Sequence, residues 1–136
     1  MKILSRLFKI KILVWIIVNS VFIKFLKHRI NIRKLVGLYS PLKFRKKNIP
    51  PVWYNIWATR ILKTAGEPNC LEKSVILYYL LNKYCDTKFE MRIGVSNNNK
   101  LSGHSWIEYK SSKIFDTIAN SSEKYFSIIS FSCRQK

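Results

Sequence analysis

At 136 residues the chain is long enough for one domain around a single core and too short for two comfortable ones. Its 48% hydrophobic and 14% aromatic content excludes wholesale disorder. The formal net charge of +18, from 25 Lys and Arg against 7 Asp and Glu, calls for a negative counterpart, whether nucleic acid, an anionic membrane surface or an acidic protein.

The charge is lopsided: between Met1 and Gly66 there are fifteen basic residues and no acidic one. The start, Met1 to Leu26, reads basic and then strongly apolar. Its uncharged window, Ile12 to Ile23, gives a helix of about 18 Å against roughly 30 Å of hydrocarbon, too short to span. It lacks the small-x-small cleavage site of a signal peptide, so it reads as a helix that is buried or lies at a membrane surface. A second helix is expected over Asn31–Tyr39, closed by Pro41. The run Lys43-Phe44-Arg45-Lys46-Lys47 has no apolar period and reads as a solvated loop. Pro50-Pro51 opens a third helix, and Gly66 suits its C-terminal cap.

The fourth helix is expected from Cys70 to about Tyr84. Asn69, followed three residues later by Glu72, is an N-terminus signature in which the Asn caps and the Glu reaches back. Leu71, Val75 and Tyr78 form one apolar stripe, and Ile76, Leu77, Leu80 and Leu81 form the next, so this helix belongs at the centre. After Cys85 the period changes from 3.6 to 2. Phe89, Met91, Ile93 and Val95 alternate with Glu90, Arg92 and Gly94 as a half-buried strand. Asn97-Asn98-Asn99 reads as a turn. A hairpin follows, with strands near His104–Tyr109 and Lys113–Thr117, and Tyr125–Ile129 offers one more strand. The expectation is an α+β fold: a helical N-terminal half, residues 1–48 the basic apolar region, then a core over 49–136 continuous with it. The Cys70 helix packs there on a small antiparallel sheet.

Cys70 at the first position of a helix sits where unpaired N–H groups favour a thiolate over a thiol. A lone cysteine on a helix is more often packing than chemistry, so partners decide the matter. If the hairpin loop is the three residues Lys110-Ser111-Ser112, Tyr109 pairs with Lys113 and Trp106 with Asp116. His104 and Asp116 are then diagonal neighbours on one face, within reach of each other. A two-residue loop would put them on opposite faces. Asp116 holding His104, and His104 facing Cys70, would generate and orient a sulfur nucleophile. The order Cys, His, Asp on helix, strand, strand is that of papain-like and transglutaminase-like folds. The other histidine, His28, lies between Lys27 and Arg29 and reads as a surface residue. Cys70, Cys85 and Cys133 are an odd set without CxxC spacing, which argues against a disulfide framework or a zinc knuckle. A reducing, cytoplasmic setting fits, with contact between the 12–23 segment and a membrane left open.

The blocks Pro68-Asn69-Cys70-Leu71-Glu72-Lys73-Ser74, Arg92-Ile93-Gly94-Val95, Gly103-His104-Ser105-Trp106-Ile107-Glu108 and Phe115-Asp116 resemble the lasso-peptide maturation proteases. These are the B-type proteins related to the microcin-processing enzyme, within the transglutaminase-like cysteine-protease superfamily. The resemblance implies Cys70 as nucleophile, His104 as general base and Asp116 as its orienter, with no cofactor. It implies removal of the leader from a ribosomally made precursor, alongside a separate winged leader-recognition protein and an ATP-dependent macrolactam cyclase. Asn69 is a candidate side-chain donor to the oxyanion beside the backbone N–H groups of the helix start. The basic first half would dock an acidic partner, the cyclase or a membrane, and nucleic acid is not expected. The chain departs from the family at Ser105, usually Ala, and at Glu72 and Lys73, usually Pro and Arg; neither departure is expected to touch the triad. Cys85 and Cys133 are expected to be dispensable.

An acyl-transferring transglutaminase is chemically close, because amine or water can resolve the same thioester, and two further rival readings share these residues. One is a binding protein that has lost catalysis and docks through its basic half on a membrane, an acidic protein or nucleic acid. The other is a metal site on Cys70, His104 and Asp116, which would lack a fourth protein ligand.

Overall fold

The structure, a computed structural model, describes residues 2–41, 45, 47, 49–66, 69–96, 102–116 and 125–133. Among the described residues four helices precede four strands: α1 Lys2–Leu26, α2 Ile32–Leu38, α3 Pro51–Thr64, α4 Cys70–Tyr84, β1 Glu90–Ser96, β2 Ser102–Tyr109, β3 Ser112–Ile114 and β4 Phe126–Ser132. The strands form one antiparallel sheet in the order β3-β2-β1-β4. The expected turn at 97–99 lies outside the described residues.

Helix α4 is the centre because its sequence is apolar nearly all round. Val75, Ile76, Leu77, Tyr78, Leu80 and Leu81 are all buried, and the helix packs on α1 and α3 on one side and on the sheet on the other. Asn82, buried in the same helix, is satisfied by local bonds: its Nδ2 donates to the Tyr78 and Phe89 carbonyls, and its Oδ1 accepts from Phe89 N. Helix α1 runs antiparallel to α4. Phe8 meets Tyr84 edge-on at 5.2 Å at one end, and Lys27 Nζ reaches Glu72 Oε1 at 2.8 Å at the other. Ile12, Ile16 and Ile23 of α1 belong to the same core as α4.

Three expectations are corrected. Glu72 does not reach back to cap its own helix. It is 1% exposed and its carboxylate pairs with Lys27, while Asn69 alone caps by accepting from Leu71 N at 2.9 Å. The hairpin loop has two residues, not three, since Tyr109 pairs with Ser112 and Glu108 with Lys113. Lys110 and Ser111 both adopt positive φ, 48° and 63°, the backbone of a two-residue turn that matches strand twist. Finally, burial in β1 does not alternate cleanly. Gly94 and Ser96 are buried where Val95 was expected inward, beyond a register shift against β4 at Ile93/Gly94.

Candidate active site

By the rule of strand alternation, the two-residue loop should separate His104 from Asp116. Continued regularly, β3 would set Asp116 opposite Ser105 and on the face away from His104. The strand stops at Ile114 instead, and Phe115 takes φ 54°, a left-handed conformation rare for an aromatic residue. That turn swings Asp116 back across the sheet. Its Oδ1 lies 2.6 Å from His104 Nε2. The pair forms through a broken strand rather than through the expected register.

His104 sits on β2 opposite Gly94 and is 2% exposed. Its ring lies 5.8 Å from that of Trp106 and 4.9 Å from that of Tyr125. Tyr125 entered the sequence reading only as part of a possible strand, and here it covers the imidazole. With Nε2 held by Asp116, Nδ1 is buried with no strictly aligned partner and is the ring nitrogen left for Cys70. Burial pushes the imidazole pKa down. Hydrogen bonds to Cys70 and Asp116 and their negative charge outweigh burial, so His104 ends above its ordinary 6.5.

Cys70 is the first residue of α4 and is partly exposed. Burial pushes its thiol up. His104, the Ser105 backbone N–H and the Ser105 hydroxyl favour the thiolate together and bring the pKa below 9.0. The opposed shifts bring the proton affinities of sulfur and imidazole closer together. By contrast, burial raises the Cys85 thiol to about 11 and also raises the Cys133 thiol, and both are buried.

The departures expected to leave the triad alone both touch it. Ser105 is 4% exposed, and its Oγ finds no strictly aligned partner while flanking the sulfur. Lys73, one turn beyond Cys70, is 6% exposed. Burial lowers its pKa while the charge of Asp116 acts in the opposite sense. The sequence gives no sign of this for Lys73, because a lysine three residues into a helix ordinarily faces solvent. For Ser105 the signal was available: position 105 adjoins the histidine on a strand that passes the cysteine helix.

Asn69 uses its side-chain oxygen on Leu71 N, and the same oxygen is 3.8 Å from Cys70 Sγ. Beside the sulfur, Asn69, Leu71, Ile93 and Gly103 help line a cavity of about 330 Å³, with Ile32 of α2 on its far wall. The surface it exposes is mostly apolar, and Cys70, His104 and Ser105 are part of its lining. Among the described residues no cluster of three or more His, Cys, Asp and Glu is arranged to hold a metal ion. Comparison with family models, curated proteins and solved structures finds no match to this chain.

Proposed function

We propose that this chain is a transglutaminase-like cysteine peptidase that removes the leader from a ribosomally synthesised lasso-peptide precursor. The observation that carries the reading is the 2.6 Å bond between His104 Nε2 and Asp116 Oδ1, with Cys70 and His104 lining one cavity. Supporting it are the central cysteine helix packed on an antiparallel sheet, a topology compatible with papain-like and transglutaminase-like folds, and the motif resemblance of residues 68–116.

The Cys70 thiolate attacks the carbonyl carbon at the leader–core junction, forming an S–C bond while the carbonyl π pair moves to oxygen. Leu71 N–H is taken by Asn69, which leaves the Cys70 N–H at the helix start as the backbone donor assigned to that oxyanion. Collapse breaks the C–N bond, and the imidazolium of His104 gives its proton to the leaving amine. Water then attacks the thioester as neutral His104 removes its proton, releasing the acid and the thiolate. Asp116 keeps Nε2 protonated and Nδ1 turned to the sulfur throughout. The apolar cavity of about 330 Å³ receives a substrate side chain next to the scissile bond.

The partners of this reading are the precursor, a separate winged leader-recognition protein and the macrolactam cyclase. The cationic 1–66 half is the side that meets an acidic partner or a membrane. The test is mass spectrometry of the precursor incubated with this chain and the recognition protein. Wild type releases leader and core, and Cys70→Ala, folded as judged by circular dichroism, releases neither. Cleavage that persists in Cys70→Ala ends the peptidase reading. Binding of a partner with no cleavage by either protein selects the inactive binding protein.

A further inference from the structure

Helix α1 buries only one side. Val14, Ile17, Val18, Val21, Phe22 and Phe25 are each more than half exposed. At about 100° per residue they lie on the side opposite Ile12, Ile16 and Ile23. With Leu7, also 53% exposed, they make an apolar stripe about 27 Å long, at 1.5 Å per residue. No helix among the described residues is long and apolar enough to cross a membrane.

A second feature borders this stripe. Lys11, four residues after Leu7 and three before Val14, lines a cavity of about 470 Å³ between α1 and the C-terminal end of α4. Arg45, Lys47 and Lys83 also line it, and no acidic residue does. Backbone bonds anchor the segment that carries two of these cations. Arg45 N donates to the Lys83 carbonyl at 2.7 Å, and Lys47 N donates to the Tyr84 carbonyl at 3.0 Å. Lys47 Nζ lies 4.9 Å from the Phe8 ring centroid, and Lys83 donates to the Tyr79 hydroxyl. Trp15 stacked on Tyr79 at 4.5 Å makes the floor rigid. Four cations gathered around one cavity repel one another unless an anion joins them.

We infer that α1 and this cavity form a docking surface for an anionic phospholipid bilayer. The stripe enters the acyl boundary with the helix axis in the membrane plane, and the cavity takes a headgroup phosphate. The charge pattern selects this occupant. The helix has an apolar outer face, Arg6, Lys11 and Lys24 flank that face, and no acid occurs before Glu67. A second copy of the chain brings another +18 to the contact and is repelled. The cavity lies at the far end of α4 from Cys70, about 20 Å away along thirteen residues of helix, so the inference is independent of the peptidase reading.

The experiment is flotation of the full chain with vesicles of phosphatidylcholine alone and of phosphatidylcholine mixed with phosphatidylglycerol. Binding to the anionic vesicles should be at least about tenfold tighter. Arg45→Gln with Lys47→Gln should weaken anionic binding about fivefold per charge and leave neutral vesicles unaffected. Val18→Glu with Val21→Glu, or the milder Val18→Gln with Val21→Gln, should reduce binding by at least about tenfold with unchanged circular dichroism. Equal binding to both vesicle types, or wild-type binding by both stripe variants, overturns the proposal. So does inorganic pyrophosphate bound tightly by a protein that ignores vesicles, which would assign the cavity to a soluble anion. A dimer that the stripe variants dissociate would overturn it in favour of self-association.

Discussion

Replacing Ser105 with alanine separates two effects that a hydroxyl buried beside a nucleophile otherwise mixes. In the resting thiol form, Ser105 Oγ is buried without a strictly aligned partner, a condition that costs about 1–3 kcal/mol of desolvation. In the thiolate form the same hydroxyl donates to a charged acceptor, worth about 1.5–3 kcal/mol. Ser105→Ala therefore leaves stability unchanged or raised, and moves the Cys70 thiol toward higher pH. The backbone N–H at 105 survives the substitution, so the loss is confined to the side chain. Even the lower value reduces the thiolate population at a fixed pH below the midpoint by about tenfold. Two assays read this: the pH dependence of the iodoacetamide alkylation rate of Cys70, in a Cys85→Ala, Cys133→Ala background, and the melting temperature. An alkylation midpoint that stays in place, or a lowered melting temperature accompanying any shift, would show that the hydroxyl is structural and that the sulfur is tuned by His104 alone.

The raised pKa of His104 places the alkaline limb of cleavage above 6.5. Asp116→Asn should move that limb to lower pH in a pH–kcat/KM profile. Because the folded pKa is raised, His104 contributes stability below its unfolded value of 6.5 and loses it as pH rises through the folded value; the Asn variant should lose most stability on the acid side, read by urea unfolding at several pH values. Lys27→Met leaves Glu72 buried and unpaired, and should lower unfolding free energy by about 3–5 kcal/mol; Lys27→Met with Glu72→Leu should recover most of it, and a single variant within about 1 kcal/mol of wild type would contradict the pairing. A Cβ at Gly94 would lie 2.5 Å from the Phe126 carbonyl oxygen and 2.8 Å from Trp106 Cη2, so Gly94→Ala should destabilise by about 1–3 kcal/mol in denaturant titration, with β4 displaced from β1.

The helices were legible because their signals are local. Asn31, Pro51 and Asn69 mark starts that the structure places within a residue, and the apolar girth of α4 announced its central place. The hairpin was not legible. A two-residue loop with positive φ at both positions normally announces itself by Asn-Gly or Asp-Gly, and Lys110-Ser111 carries neither signal. The expectation that His104 and Asp116 meet rested on a register the chain does not use. What unites them is the left-handed turn at Phe115, and no propensity scale puts an aromatic residue there. Glu72 shows the same limit on another element. Its spacing from Asn69 fits a capping box, yet Lys27, 45 residues earlier, takes the carboxylate. Local pattern names the residue and tertiary packing chooses its partner.

That choice has a direction. Of the eight buried polar or charged residues among the described ones, Glu72, Lys73, Ser74, His104 and Ser105 lie in the first turns of α4 or on the segment of β2 beside it, and Ser20, Asn82 and Ser96 lie elsewhere. Asn82, at the other end of α4, is fully satisfied by neighbouring backbone and stabilises the turn into β1. At the Cys70 end, Glu72 Oε2, His104 Nδ1 and Ser105 Oγ are buried without strictly aligned partners, as are Tyr54 OH, Asn55 Oδ1 and Thr59 Oγ1 on α3 and Ser96 Oγ on β1; what sets this end apart is that His104 and Ser105 line the same cavity as the sulfur. A fold optimised only for stability would place apolar side chains at these positions. Polar side chains gathered beside one sulfur, with Phe115 in a left-handed turn holding the acid in place, are what the proposed reaction needs where its charge develops.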